Sequence, residues 1–346
     1  VHHVALEKRF VDINPATLII GGGITGISAA IEIADAGKQV FLVEQKDEIG
    51  GVAANLDITF PYMYSAQQMM KPLINKVNTH PNIKVLTKTK VEEVSGYIGN
   101  FKATTSNKDE LEFGNIIVAT GLKPFNPDVI SNYGYGKLDN VITSLEFEEM
   151  LTKGEIKTKD GKEPKSVAII HCVGSRNDDY HGYCNRICCN TALKFANQIN
   201  SALPDSQIYD LYADMRAFGK GCEELYTSTS QKNVMFLMFD QRNELPDIKQ
   251  ADANDNCNMV INMKEKLSGE EIEIPADLVI LMTNLEAYDN AKETSHKAGI
   301  SMDKNKFFIE KHPKLDPVAT TTDGVYIAGM CQSPKDIPDS VSQAKA

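Results

Sequence analysis

The chain has 346 residues, enough for about two domains and for a core that needs neither disulfide nor metal to hold it. Hydrophobic residues at 42% and charged residues at 24% are ordinary globular values, which exclude a disordered or collagen-like chain. The net charge of −11 argues against nucleic-acid binding, and no apolar run reaches the ~20 residues of a membrane span.

Thr17 to Ile20 is predicted as a short strand that runs into Gly21-Gly22-Gly23. Ile24 to Ala36 follows as a helix with Ile27, Ile31 and Ala34 on one face, stopped by Gly37. Gln39 to Val43 is a buried strand ending at Glu44, which completes one βαβ unit. Met69 to Val77 is helical, and Ile83 to Leu86 is a strand. Lys90 to Ser95, Phe101 to Thr105 and Leu111 to Phe113 form a small meander, and Asn115 to Ala119 is a strand entering Ala119-Thr120-Gly121. Residues 122–165, rich in Pro and Gly, read as a linker with one helix, Leu145 to Leu151. A second α/β pattern follows. Its strands are Ser166 to His171, Gln207 to Ala213, Val234 to Phe239 and Asp277 to Met282, and its helices Asn190 to Ser201 and Glu223 to Ser230. Alternating strands and helices imply parallel sheets with ligands at the carboxyl ends of the strands.

Gly21-x-Gly23-x-x-Gly26 lies between a strand and a helix, with Glu44 at the end of the next strand, as a dinucleotide fingerprint requires. Gly21 permits the tight turn and Gly26 the close packing of helix on strand. Gly23 lets the backbone approach a pyrophosphate at the helix N-terminus, and Glu44 would accept hydrogen bonds from a ribose. Three features favour FAD over NAD. Gly50-Gly51 follows Glu44 closely, Ala119-Thr120-Gly121 ends a strand, and Thr322-Asp323-Gly324-Val325-Tyr326-Ile327-Ala328-Gly329 resembles a C-terminal flavin motif, with Met330 where that motif has Asp. Together they resemble the flavoproteins related to thioredoxin reductase. That resemblance implies an α/β fold with two Rossmann-like dinucleotide-binding domains. The FAD-binding domain would be discontinuous, residues 1–140 plus 286–346, and residues 141–285 would form a degenerate second Rossmann-like domain.

The seven Cys are uneven: none precedes Cys172, and Cys184, Cys188 and Cys189 crowd together. An odd count, with no leader of basic then apolar residues visible, suggests a reducing, cytoplasmic setting and metal or redox chemistry. Between 160 and 285 no second glycine fingerprint occurs. Gly219-x-Gly221 lacks its third Gly, since position 224 is Glu, so the nicotinamide site is expected to be lost. A dithiol of two Cys separated by two residues is also absent. If 184–189 opens the following helix, Cys184 and Cys188 share a face, with Cys189 on the same turn and Cys172 at the facing strand end. A helix N-terminus there would favour thiolates. Four thiolates suit a [4Fe–4S] cluster or a structural zinc; buried inert Cys or a redox dithiol are the alternatives.

Cys172-Val173-Gly174-Ser175-Arg176 followed by Tyr183-Cys184-x-Arg186-x-Cys188-Cys189 resembles the A-type subunit of heterodisulfide reductase. So do Asp214-Met215-Arg216-Ala217-Phe218-Gly219-Lys220 and the stretch Ser333 to Val341. The resemblance implies an electron-transfer subunit with FAD and a [4Fe–4S] cluster in an oxidoreductase complex, and it implies a homodimer. The flavin would be held by Gly21, Gly22, Gly23, Thr25, Gly26, Glu44, Gly51, Ala119, Thr120, Gly121, Gly329, Met330, Lys335, Asp336 and Ile337, with Lys335 tuning it. The cluster would be held by Cys172, Cys184, Cys188 and Cys189. With no Cys before 172, the chain looks like the short form in heterodisulfide-reductase-like complexes of sulfur oxidisers, where B- and C-type subunits supply further clusters. The competing readings are a stand-alone NAD(P)H-dependent flavoprotein disulfide oxidoreductase and a non-catalytic assembly subunit.

Overall fold

In the computed structural model, residues 10–252 and 255–346 are described. Two five-stranded parallel sheets organise them. The first sheet runs Val325–Ile327, Asn115–Val118, Thr17–Ile20, Val40–Val43, Ile83–Leu86. Its strands are short and apolar because both faces are covered: Leu18, Ile19, Val40 and Leu42 are wholly buried. The helix Ile24–Asp35 connects two of them and buries Ile27, Ala30 and Ala34 against the sheet. Gly37, at φ +80°, ends it; its N–H donates to the Ala34 carbonyl and that of Lys38 to the Ile33 carbonyl. The second predicted helix runs Ala66–Thr79, longer at its start because the Ser65 hydroxyl accepts from the Gln68 N–H. The meander is present as Val91–Tyr97, Asn100–Thr105 and Glu110–Phe113.

The second sheet runs Val141–Thr143, Leu278–Thr283, Ser166–Val173, Gln207–Tyr212, Val234–Met238, again wholly parallel. Residues 122–165 are therefore more than a linker. They give this sheet an edge strand and the helix Ser144–Lys153, which starts with a capping box between Thr143 and Glu146. A strand of three residues is too short to show a period of two. Lys123–Pro124 pairs antiparallel with Leu285–Glu286, so the two crossings between the sheets lie side by side. A three-stranded antiparallel sheet, Asp247–Gln250, Met259–Lys264 and Glu271–Ala276, was not expected. Its alternation is nonetheless plain: Met259, Ile261 and Met263 are buried while Val260, Asn262 and Lys264 are half-buried.

Between helix and sheet in the second unit, the rings of Phe147 and Phe195 meet edge to face, 4.9 Å between centroids at 82°. Both are wholly buried. Phe147→Ala is expected to lower the unfolding free energy by about 3–5 kcal/mol in a denaturant titration. A loss below ~1 kcal/mol would show that this helix is not part of the cooperative core. Among the described residues, no helix is long and apolar enough to cross a membrane.

Candidate functional site

Each glycine of the first turn has its own reason to be glycine. Gly21 sits at φ +114°, and a Cβ there would lie 2.3 Å from the Ala119 carbonyl oxygen. A Cβ on Gly26 would lie 1.9 Å from the Gly21 oxygen. On Gly22 it would press on Ile49, at 2.8 Å. Gly23 differs. Its φ of −76° suits any residue, and a Cβ would meet nothing within 4 Å. What makes glycine useful at Gly23 is the space in front of it, a cavity of about 910 Å³ lined by Gly21, Gly23, Thr25 and Glu44. That is within the range of ligand pockets, roughly 300–1,000 Å³.

Glu44 anchors the turn as well as facing the cavity: its two carboxylate oxygens accept from the Gly22 N–H at 2.8 Å and the Lys46 N–H at 2.9 Å. A carboxylate has about four acceptor positions, so lone pairs remain for a hydroxyl in the cavity. Gly51 packs against Gly23, where a Cβ would come within 2.9 Å of the Gly23 Cα. Ala119, Thr120 and Gly121 line the cavity at the end of the neighbouring strand. Gly329, at φ +77°, brings the chain onto Thr25, whose Oγ1 would lie 2.3 Å from a Cβ there. Met330 then faces the cavity.

Lys335 also lines the cavity and is only 8% exposed. Its Nζ donates to Gln332 Oε1 at 2.9 Å and Ser333 Oγ at 2.8 Å, and burial holds its pKa below the usual lysine value. Asp336 caps the helix Ile337–Lys345 by accepting from the Asp339 N–H at 2.8 Å. Its first turn faces the same cavity.

The cavity continues to the helix Cys188–Ala202 of the second unit, where Cys188, Thr191 and Lys194 line it. Lys194 was missed in the sequence. It forms a buried ion pair with Glu148 and donates to the Ile58 carbonyl at 3.2 Å. Burial pushes its pKa down while the Glu148 carboxylate pushes it up, and the net direction is down. The readable signal was a lysine inside Ala192-Leu193-Lys194-Phe195-Ala196, an otherwise apolar stretch of helix.

The four cysteines lie within electrostatic reach of one another. Their geometry corrects the sequence reading in two ways. The helix starts at Cys188, so Cys184 stands on the preceding loop rather than on a shared helical face. Thiolates are not generally favoured either: burial pushes Cys172 up and Cys188 well up. Cys189 is lowered, because His171 beside it outweighs the effect of burial. The Cys184 sulfur accepts from the Arg186 N–H at 3.3 Å, and the Cys188 sulfur from Asn185 Nδ2 at 3.4 Å.

The backbone here is unusual. Cys172, Arg176 and Arg186 all have positive φ, at +58°, +57° and +65°, and the strand of Cys172 shifts register between Ile170 and Val173. Such irregularities gather at functional sites. The loop is pinned on both sides. Tyr183 donates to the Leu285 carbonyl at 2.8 Å, Asn185 accepts from the Leu285 N–H at 3.0 Å, and Arg186 donates to Asp339 at 3.1 Å.

Among the described residues no three His, Cys, Asp or Glu side chains are grouped to hold a metal ion. A cubane cluster spreads its four sulfurs over a wider tetrahedron than a zinc ion does, so an arrangement too open for zinc does not exclude a cluster. The donor set is all sulfur, and His171, wholly buried next to it, has no well-aligned hydrogen bond on either ring nitrogen. Both observations fit a thiolate-held centre. A Cβ on Gly174, just after the central strand of the second sheet, would lie 2.5 Å from the Phe125 ring, so that ring packs directly against the turn.

Two parallel sheets, the first carrying a complete glycine turn, define a flavoprotein of the two-dinucleotide-fold class. Thioredoxin reductases from T. acidophilum and Lactococcus lactis share the fold, each with a TM-score of 0.62 over 96% of this chain and 95% of theirs, at 17% and 16% identity. Residues 15–179 match the pyridine nucleotide-disulphide oxidoreductase family. The first A-type iron-sulfur subunit of the CoB–CoM heterodisulfide reductase of Methanopyrus kandleri is 36% identical over 98% of the chain. The A-type subunit of the H2/formate:CoB-CoM heterodisulfide, ferredoxin reductase of Methanococcus maripaludis is 34% identical over 98%. Over nearly all of its length the chain is similar to the A-type subunits of heterodisulfide reductase. It spans 64% of the length of these curated relatives.

Proposed function

We propose that the chain is an electron-transferring oxidoreductase subunit. FAD would lie in the cavity along Gly23, Glu44, Thr120 and Lys335, and Cys172, Cys184, Cys188 and Cys189 would hold a [4Fe–4S] cluster. The observation that carries the reading is that one cavity runs from the glycine turn to Cys188, so a flavin seated there would reach the cysteine site. FAD supplies two-electron and the cluster one-electron chemistry, and the protein contributes position and potential. Gly21 to Gly26 would offer backbone amides to the pyrophosphate, and Glu44 would accept from the ribose. Lys335, together with the first turn of Ile337–Lys345, would place positive potential beside the flavin ring.

In this proposal residues 1–140 plus 286–346 form the FAD-binding domain and 141–285 the cluster-bearing one. The working unit is a homodimer within a cytoplasmic heterodisulfide-reductase-like complex, passing electrons between the flavin and partner iron–sulfur subunits during sulfur-compound oxidation. The names of the relatives support the complex. The seven free cysteines support a reducing compartment. The test is anaerobic purification with a flavin and iron count, an absorption spectrum and an EPR spectrum. One flavin and about four irons per chain are expected, and a colourless protein overturns the reading.

The family-model match favours a second reading, a nicotinamide-dependent reductase. Against it stand Phe125 under Gly174, and Cys188-Cys189 where a second glycine turn would open the helix. NADH or NADPH added to the anaerobic protein is expected to leave the flavin oxidised; rapid bleaching would establish the second reading instead. Lys335→Ala is expected to keep flavin bound and shift its potential downward. A shift of ~30 mV in the two-electron couple corresponds to ~1.4 kcal/mol. An unchanged potential with full flavin content rejects the tuning role.

A further inference from the structure

We propose that His171 is a positioning residue for the iron–sulfur centre: Asp210 holds its imidazole from one side, and the ring donates an N–H hydrogen bond to the Cys189 sulfur on the other. This rests on the reading of the four cysteines as cluster ligands. His171 directly precedes Cys172 on the strand Ser166–Val173 and is wholly buried. On a regular strand, consecutive side chains point to opposite faces. Here the register shift and the left-handed Cys172 break that alternation, and both side chains come within reach of Cys189 on the first turn of Cys188–Ala202. Asp210, on the neighbouring strand and also wholly buried, brings Oδ1 to 2.9 Å from His171 Nε2.

That contact has the distance of an ion pair, yet neither ring nitrogen and neither Asp210 oxygen has a well-aligned hydrogen bond. Native proteins rarely leave buried polar atoms in that state. With Nε2 turned to Asp210, Nδ1 is the nitrogen left for Cys189, and a ligating thiolate is the acceptor it lacks. Hydrogen bonds from groups behind the ligands orient them and tune the metal centre. Hydrogen bonds to cluster sulfurs stabilise the more negative, reduced state, so this contact raises the cluster's potential.

The test uses the full chain, purified anaerobically, as wild type, His171→Leu and His171→Gln. Iron and sulfide are counted first, because wild type without iron overturns the cluster reading and this one with it. With iron present, His171→Leu is expected to keep its iron and to show a lower cluster midpoint potential in an EPR-monitored titration. His171→Gln, which retains an N–H donor, is expected to recover part of that shift. Pulsed EPR of wild type labelled with 15N-histidine is expected to show a histidine nitrogen coupled to the cluster, a coupling that His171→Gln removes. This measurement decides even if His171→Leu does not accumulate. A cluster-loaded wild type with no such coupling overturns the proposal, as does an unchanged potential in loaded His171→Leu.

Discussion

Gly23→Val is expected to fold like the wild type and to purify without flavin. The backbone at Gly23, φ −76° and ψ −177°, is open to any L-residue, and a Cβ there meets no atom of the protein within 4 Å. The valine methyls would instead enter the cavity where the pyrophosphate is proposed to lie. Compared with deflavinated wild type, the cost to stability should be within about 0.5 kcal/mol. Flavin occupancy should fall at least tenfold, a loss of roughly 1.4 kcal/mol or more in binding. Gly26→Ala is the contrasting control. Its Cβ would lie 1.9 Å from the Gly21 oxygen, so helix and strand must part and both stability and flavin should go. A Gly23→Val protein as yellow as wild type would remove the glycine turn from the flavin site.

Cys184→Ala should leave the fold intact and abolish the four-iron EPR signal, or leave a three-iron form. Cys184 is the half-buried member of the four, and its loop has anchors besides the contact of its sulfur with the Arg186 N–H. Tyr183, Asn185 and Arg186 hold that loop through Leu285 and Asp339. Far-UV circular dichroism and an iron count on the same sample separate loss of a ligand from loss of structure. Zinc in place of iron in the anaerobic wild type, with no charge-transfer absorption, would overturn the cluster assignment.

The first unit was almost fully legible in the sequence because its constraints are local. The glycines, the apolar strand before them and the acidic residue after the next strand occupy one continuous stretch of 28 residues, Thr17 to Glu44. The second unit was legible in its strands and helices but not in its edges. Val141–Thr143 is too short to carry a period, and its role comes from pairing with Leu278–Thr283, far away in sequence. The crowding of the cysteines was legible, but not how their segment is built. Cys184 was placed on a helix because its spacing from Cys188 matches a helical turn. The chain instead takes up left-handed conformations at Cys172, Arg176 and Arg186, which spacing does not encode. The Lys194–Glu148 pair escaped because its halves lie on separate helices and only tertiary packing joins them.

The first sheet is completed late. Its edge strand Val325–Ile327 pairs with Asn115–Val118, whereas every strand of the second sheet lies between Val141 and Thr283. A ribosome adds residues at about 5–20 per second, and contiguous units fold as they emerge. The second sheet can therefore close, with Cys172 on its central strand and Cys188 and Cys189 on the helix beside it, while the first still waits for its edge strand. Stalled nascent chains that stop short of residue 325 are expected to resist protease across the second sheet and to be cut around the glycine turn; equal cutting of both would contradict this order. On the proposed cofactor assignment, the timetable of loading follows from the order of synthesis: the metal site is built first, and the flavin enters a pocket that only a later stretch of chain makes whole.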